Sequence, residues 1–249
     1  MHDTWELFLN WNRFVHIWEM KYLFLILLIF LSTPGISQWN VGIKAGTNSP
    51  RINYDEGYGQ RIIEQDFKLG YLGGLSIQYF SQPNIGIQMD LIYIQKGLKT
   101  KLDTITNIQY ERTIDYLSFP FLMHAYIGKK KFNISFLLGP YISYALSSEE
   151  IFTENNVSHS EKYIFDREKD NRFEFGLQGG IGLRNTFKFG ILQLEGIYTF
   201  SFTSFYKWGA ANEDPDKDQF FPIPEQAQNQ GIQVTLSYYR SFGKVPERK

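Results

Sequence analysis

The stretch Ile232-Gln233-Val234-Thr235-Leu236-Ser237-Tyr238-Tyr239 alternates apolar and polar side chains. Successive side chains of an extended chain point to opposite faces, so Ile232, Val234, Leu236 and Tyr238 share one face and Gln233, Thr235, Ser237 and Tyr239 the other. Two upstream stretches repeat the pattern. Leu192, Leu194, Tyr198, Phe200 and Phe202 oppose Gln193, Glu195, Thr199 and Ser201. Phe173, Phe175, Leu177, Ile181 and Leu183 oppose Glu174, Gln178 and Arg184, with Gly176, Gly180 and Gly182 on the polar phase. A helix would place its apolar residues three and four apart, so the period of two reads as strand.

Working outward, the period predicts eight strands, near 39–48, 67–81, 84–97, 114–127, 131–147, 171–185, 188–204 and 230–243. Several approach 15 residues, well beyond the ~5–6 typical of soluble strands. The connections alternate in length. Those at 49–66, 98–113, 148–170 and 205–229 are long and charged; Gln82-Pro83, Gly128-Lys129-Lys130 and Thr186-Phe187 are short. Short periplasmic turns and long extracellular loops produce this sorting in outer-membrane barrels. The expected fold is all-β: an eight-stranded antiparallel up-and-down transmembrane β-barrel with both termini on the periplasmic side.

Alternation alone does not say which face points outward, and a lipocalin-like soluble barrel would turn its apolar face inward. The polar phase favours lipid outside, because its many small residues suit a narrow eight-strand interior. Aromatic residues at strand ends (Trp39, Tyr79, Phe132, Tyr206 and Phe242) suit an interfacial girdle. Composition agrees. Aromatics make up 17% of the chain, and aromatic residues favour strands. The mean hydropathy of −0.29 looks soluble, yet alternation hides apolar residues from an average. There is no cysteine, which excludes disulfides, thiol chemistry and Cys-ligated metals. Removing Arg13 and Lys21 along with Asp3, Glu6 and Glu19 leaves the segment from Gln38 onward with no net charge. Nothing there marks a nucleic-acid footprint.

Met20-Lys21 precedes the apolar run Tyr22–Leu31, and Ser32-Thr33-Pro34-Gly35-Ile36-Ser37 follows it. This is the order of a signal peptide, with Gly35 and Ser37 at the −3 and −1 positions. A membrane anchor is the alternative, but a bilayer needs ~20 apolar residues. The expected organisation is a signal peptide at 20–37 and a barrel domain at 38–249. Residues 1–19, with Trp5, Trp11 and Trp18, fit no signal n-region. They read as an extension upstream of the true start at Met20, with an amphipathic leader as the alternative.

Three strand motifs resemble the PorT-like outer-membrane β-barrel family of Bacteroidetes. They are Val41-Gly42-Ile43-Lys44-Ala45-Gly46, Leu91-Ile92-Tyr93-Ile94-Gln95-Lys96-Gly97 and Tyr116-Leu117-Ser118-Phe119-Pro120-Phe121-Leu122. Asp90 and Ser118 stand where the family usually has Glu, and His124 lies near a usual Lys. The resemblance spans 39–243 and implies an outer-membrane location, with no established activity to carry over.

Inward charges are the candidate site. Counted from the periplasmic end, Lys44, Asp90 and Glu195 fall at similar heights with Gln178 nearby, and Lys96 and Glu174 fall together higher up. Buried charge is costly unless paired, so Lys44 is expected to bridge Asp90 and Glu195 in a structural ion cluster that fills the lumen. Pro120 cannot donate to a ladder and is expected to mark a bulge. Beyond Gln38 there are two histidines, His124 in the lumen and His159 in a loop, with no third group to orient either. Neither catalysis nor a metal site gains support, and no cofactor is expected.

Tyr54, Tyr58, Phe152, Tyr163, Tyr206, Trp208, Phe220 and Phe221 lie among loop charges, where they can bind a partner or cap the barrel. The leading expectation is a monomeric, non-enzymatic structural or surface-interaction barrel in outer-membrane lipid. A surface or envelope protein would dock on its loops. A small porin-like channel is the alternative, with a lipid-modifying or proteolytic barrel behind it. Mass spectrometry of the protein recovered from outer membranes should find Gln38 at the N-terminus; a chain retaining residues 22–31 would identify an anchor instead.

Overall fold

The computed structural model describes residues 38–54, 64–66, 68–103, 108–129, 131–154, 157–166, 170–204 and 227–243. The signal peptide and the upstream extension lie outside them. Ten strands are described: β1 (Gln38–Tyr54), β2 (Glu64–Gln65), β3 (Gly70–Phe80), β4 (Ile85–Asp103), β5 (Ile108–Lys129), β6 (Phe132–Glu154), β7 (Val157–Tyr163), β8 (Phe173–Thr186), β9 (Ile191–Ser204) and β10 (Ala227–Gly243).

Eight of them close a ring in the order β1-β3-β4-β5-β6-β8-β9-β10. The closing seam is an unbroken antiparallel ladder from Gln38↔Gly243 to Tyr54↔Ala227. Hydrocarbon offers no partners for a bare strand edge, and closure removes the edge. Gln38 and Gly243 are paired, so both ends of the ring-forming chain lie at one end of the barrel. The short connections 81–84 and 187–190, and the junction between Lys129 of β5 and Phe132 of β6, lie at that same end.

Faces follow the sequence parity. Ile43, Met123, Ile181 and Leu236 point out, with Ile43 62% exposed, while Lys44, His124, Glu195 and Thr235 are buried. Exposed apolar side chains outside buried polar ones are the inverse of a soluble barrel. On β5 the outward residues are apolar from Ile127 to Leu117 and turn polar at Asp115. At ~3.4 Å per residue and the usual strand tilt this span is roughly 25 Å high, the height of a barrel's lipid-facing band. At the lower border Trp39 and Tyr79 pack with ring centroids 4.6 Å apart, and Trp39 pairs across the seam with Phe242. Tyr206 falls outside the described residues.

Two expectations need correction. Residues 98–113 and 148–170 are mostly strand. β4 and β5 run on past the band to the connection at 104–107, while β6 extends to Glu154 and pairs with β7. The apolar signal stops at the band, but backbone pairing needs only extended, cross-strand compatible residues. Thr100↔Tyr110, Lys99↔Glu111 and Tyr110↔Phe152 supply them. With β2 against β4, this builds a five-stranded sheet in the order β2-β4-β5-β6-β7 above the membrane.

Pro120 marks no bulge. The β4–β5 register is the same on both sides of it, Met89↔Phe121 and Ile92↔Ser118, so Pro120 only interrupts the ladder. The register shift in this region lies between β5 and β6: Asp115 pairs with Ser147 and Tyr116 with Ala145, so Leu146 on β6 is the extra residue, where the sheet leaves the band.

Gly97 lies at that same border with φ +140°, a backbone that L side chains rarely adopt. A Cβ there would meet the Arg112 carbonyl oxygen at 1.9 Å. Gly97→Ala should therefore lose about 1–3 kcal/mol, seen as a lower unfolding midpoint. Retention of the wild-type midpoint would show that the strand can rotate away.

Candidate functional site in the lumen

Eight strands leave a lumen just wide enough for side chains to fill. Each ring strand sends every second residue into it, and the polar phase of the sequence decides what meets there. Lys44 rises from β1. Its Nζ lies 2.6 Å from Asp90 Oδ2 on β4 and 2.7 Å from Glu195 Oε2 on β9, with its side chain fully buried. β4 and β9 are four places apart in a ring of eight, so the two carboxylates stand on opposite walls.

Amides and hydroxyls complete this layer. Gln88 Nε2 donates to Asp90 Oδ2 at 3.1 Å and Gln193 Nε2 to Glu195 Oε1 at 2.5 Å. Thr235 Oγ1 donates to Glu195 Oε2 at 3.1 Å, and Ser76 Oγ to Asp90 Oδ1. Gln78 Nε2 reaches both Gln88 Oε1 (2.8 Å) and Gln193 Oε1 (3.1 Å). Arg184 lies toward the periplasmic end, 5.0 Å from the Phe80 ring and 5.2 Å from Tyr126, and donates to Gln78 Oε1 at 3.4 Å. Two cations, Lys44 and Arg184, thus balance two carboxylates within one hydrogen-bonded group. Charge is tolerable at this depth only when balanced and bonded in this way.

A second layer lies higher. Lys96 Nζ contacts Glu174 Oε1 at 2.5 Å and sits 4.9 Å from the Tyr141 ring. Tyr141 Oη donates to Glu174 Oε1 at 2.6 Å and Asn229 Nδ2 to Glu174 Oε2 at 2.5 Å. Beside it lies an apolar cluster of Leu72, Ile92, Ile94, Ile114, Tyr116 and Ala145. Above the band, Arg112 Nε lies 3.6 Å from Glu150 Oε1 and its guanidinium 4.1 Å from the Tyr163 ring.

The residues singled out in the sequence therefore fall into two groups, Lys44/Asp90/Glu195 and Lys96/Glu174. Gln178 joins neither: it is buried on β8 at the register of Gly139 and Thr199, and no hydrogen bond among the described residues ties it to either layer. His124 is fully buried, 5.2 Å from the Phe80 ring, with neither ring nitrogen bonded among the described residues. His159 sits on β7 opposite Phe152, so the two histidines are not brought together.

Sequence reasoning passed over the supporting amides. Gln88 and Gln193 each stand two residues before an acid, hence on the same face, and that spacing could have found them. The apolar inward cluster was hidden because Leu91-Ile92-Tyr93-Ile94 is apolar on both phases. Of the loop aromatics, Phe152 and Tyr163 lie on strands of the upper sheet; Tyr58, Trp208, Phe220 and Phe221 fall outside the described residues.

A family model described as outer membrane protein beta-barrel domain matches residues 32–207. No curated protein matches the sequence. Among solved structures, the chain is similar to the attachment invasion locus protein Ail of Yersinia pestis at 14% identity, covering 81% of this chain and 98% of that one, with a TM-score of 0.37. The outer membrane protein OprG of Pseudomonas aeruginosa is 13% identical over 84% of this chain and 97% of its own, with a TM-score of 0.46. The outer membrane protease OmpT of Escherichia coli is 8% identical over 85% and 97%, with a TM-score of 0.36.

Lys44→Met would leave Asp90 and Glu195 buried without their cation, a change that typically costs about 3–5 kcal/mol. At a fixed scan rate the refolded variant should melt well below wild type. A variant that also carries Asp90→Asn and Glu195→Gln should recover part of the loss. An unchanged melting temperature for Lys44→Met would remove the ion layer as a source of stability.

Proposed function

Because this chain belongs to the outer membrane protein β-barrel domain family, we propose that it is a non-enzymatic barrel whose lumen is closed by its own side chains, acting as a structural or surface-interaction protein. The observation that carries this reading is Lys44, which bonds to carboxylates on opposite walls and so crosses the lumen. The Lys96/Glu174 layer supports a second closure above it. An ion following this path would have to separate both sets of charges in a low-dielectric interior, where their attraction is strong.

The upper sheet β2-β4-β5-β6-β7 is the part of the protein suited to meeting a partner. It rises past the lipid-facing band and carries Tyr110 and Phe152 packed with ring centroids 4.9 Å apart. A surface or envelope protein is the partner this reading assigns to it. Ring closure within one chain supports a monomer, and the three strand motifs support a place near the PorT-like branch of Bacteroidetes. No bonded set of nucleophile, base and orienting acid among the described residues supports catalysis.

Planar-bilayer recordings of the refolded protein test the closure. Wild type should show no steady single-channel steps, and Lys44→Met should stay silent while melting earlier. Reproducible openings in wild type would replace this reading with a small pore.

A further inference from the structure

The two ends of the barrel differ in charge. At the upper end both signs are mixed: Glu111, Asp115, Glu149, Glu150 and Glu161 share the extended sheet with Lys99, Lys101, Arg112 and Lys162. At the periplasmic end the exposed charges of the described residues are Lys131, Lys188 and Arg240, and none of the described residues at that rim is Asp or Glu. The three cations are not scattered around the rim. Thr186 N donates to the Lys131 carbonyl at 2.9 Å, joining the β5–β6 turn to the end of β8. Arg240 Nη1 and Tyr238 Oη donate to the Phe189 carbonyl at 3.0 and 2.7 Å, joining the β8–β9 turn to β10. The cations therefore lie along the half of the ring that runs from the β5–β6 turn to β10. The turn at 81–84, Ser-Gln-Pro-Asn, carries no charge on the other side of the ring.

The same sector exposes rings. Phe132, Phe187, Phe189 and Phe242 are all exposed, and Phe187 stacks on Phe189 with centroids 5.1 Å apart. Phe189 stacks in turn on Tyr238. Exposed rings below an apolar band mark the acyl–headgroup boundary, where aromatic residues settle. Cations beside them stand at the depth of lipid phosphates, and each Lys or Arg near an anionic membrane surface contributes about 1 kcal/mol, or about fivefold in preference.

We propose that the β5–β10 sector of the periplasmic rim is a docking surface for anionic phospholipid headgroups of the inner leaflet, with Lys131, Lys188 and Arg240 contacting the phosphates and Phe132, Phe187, Phe189 and Phe242 lying against the upper acyl chains. The inference rests on the membrane placement of the barrel and not on whether the lumen is closed.

The test uses the refolded barrel in nanodiscs of phosphatidylcholine with a minor fraction of phosphatidylglycerol. Spin-labelled lipids of both kinds report the preference of the lipid shell. Wild type should prefer phosphatidylglycerol about fivefold or more. Lys131→Gln with Lys188→Gln should remove most of that preference, and adding Arg240→Gln should abolish it. The control pair Lys99→Gln with Lys162→Gln, on the upper sheet, should keep it. Circular dichroism establishes that each variant is folded, and the Lys131/Lys188 pair leaves the Arg240–Phe189 contact intact should the triple variant misfold. Equal affinity for the two lipids in wild type, a preference that survives the Lys131/Lys188 substitutions, or one lost equally in the control pair would each overturn the proposal. So would a preference abolished by millimolar inorganic phosphate, which would identify a soluble anion site instead.

Discussion

The pairing of β1 with β10 is the contact on which the rest of the structure depends. In hydrocarbon an unpaired backbone N–H or C=O costs several kcal/mol, and two bare strand edges would carry a whole row of them. The ladder from Gln38↔Gly243 to Tyr54↔Ala227 leaves no such row. Once the ring has closed at eight strands its radius is fixed, and so is the space inside. Everything on the inward phase must then fit that space and satisfy itself.

The lumen shows how this is met. Lys44, Asp90 and Glu195 come from three strands and meet because the ring is narrow enough for one lysine to reach both walls. The amides of Gln78, Gln88 and Gln193 hold the carboxylates in place. Higher up the solution changes. Ile92, Ile94 and Ile114 fill one side, so a single ion pair, Lys96 with Glu174, suffices beside them. The contacts that hold this interior together also fill it, and the function proposed for the barrel rests on that filling.

Outside, the chain changes solvent twice along each strand. At Asp115 and Gln95 the outward face turns from lipid to water, with Gln95 Nε2 donating to Asp115 Oδ1 at 3.2 Å. The backbone does not stop there. Gly97 on β4 and the extra residue Leu146 on β6 lie at the border, and pairing continues into the upper sheet. At the opposite border the rim carries cations and rings. One scaffold thus presents three surfaces of different chemistry, stacked along its axis.

The sequence by itself determined the strand period, the ring of eight, the face turned to lipid and the end at which the termini lie. All of these are local or additive: side-chain parity is a property of each strand, and connection lengths are read directly. It also placed Lys44, Asp90 and Glu195 at one height, because height in a barrel can be counted from the turns. Tertiary structure decided what counting could not. Which side chains touch at a given height depends on rotamers and neighbours, so only the fold gave Lys44 its bonding distances and left Gln178 aside. Where strands end depends on backbone pairing, which polar residues sustain as well as apolar ones, so 98–113 and 148–170 looked like loops. Whether Pro120 shifts the register depends on both neighbouring strands, and they hold it in place.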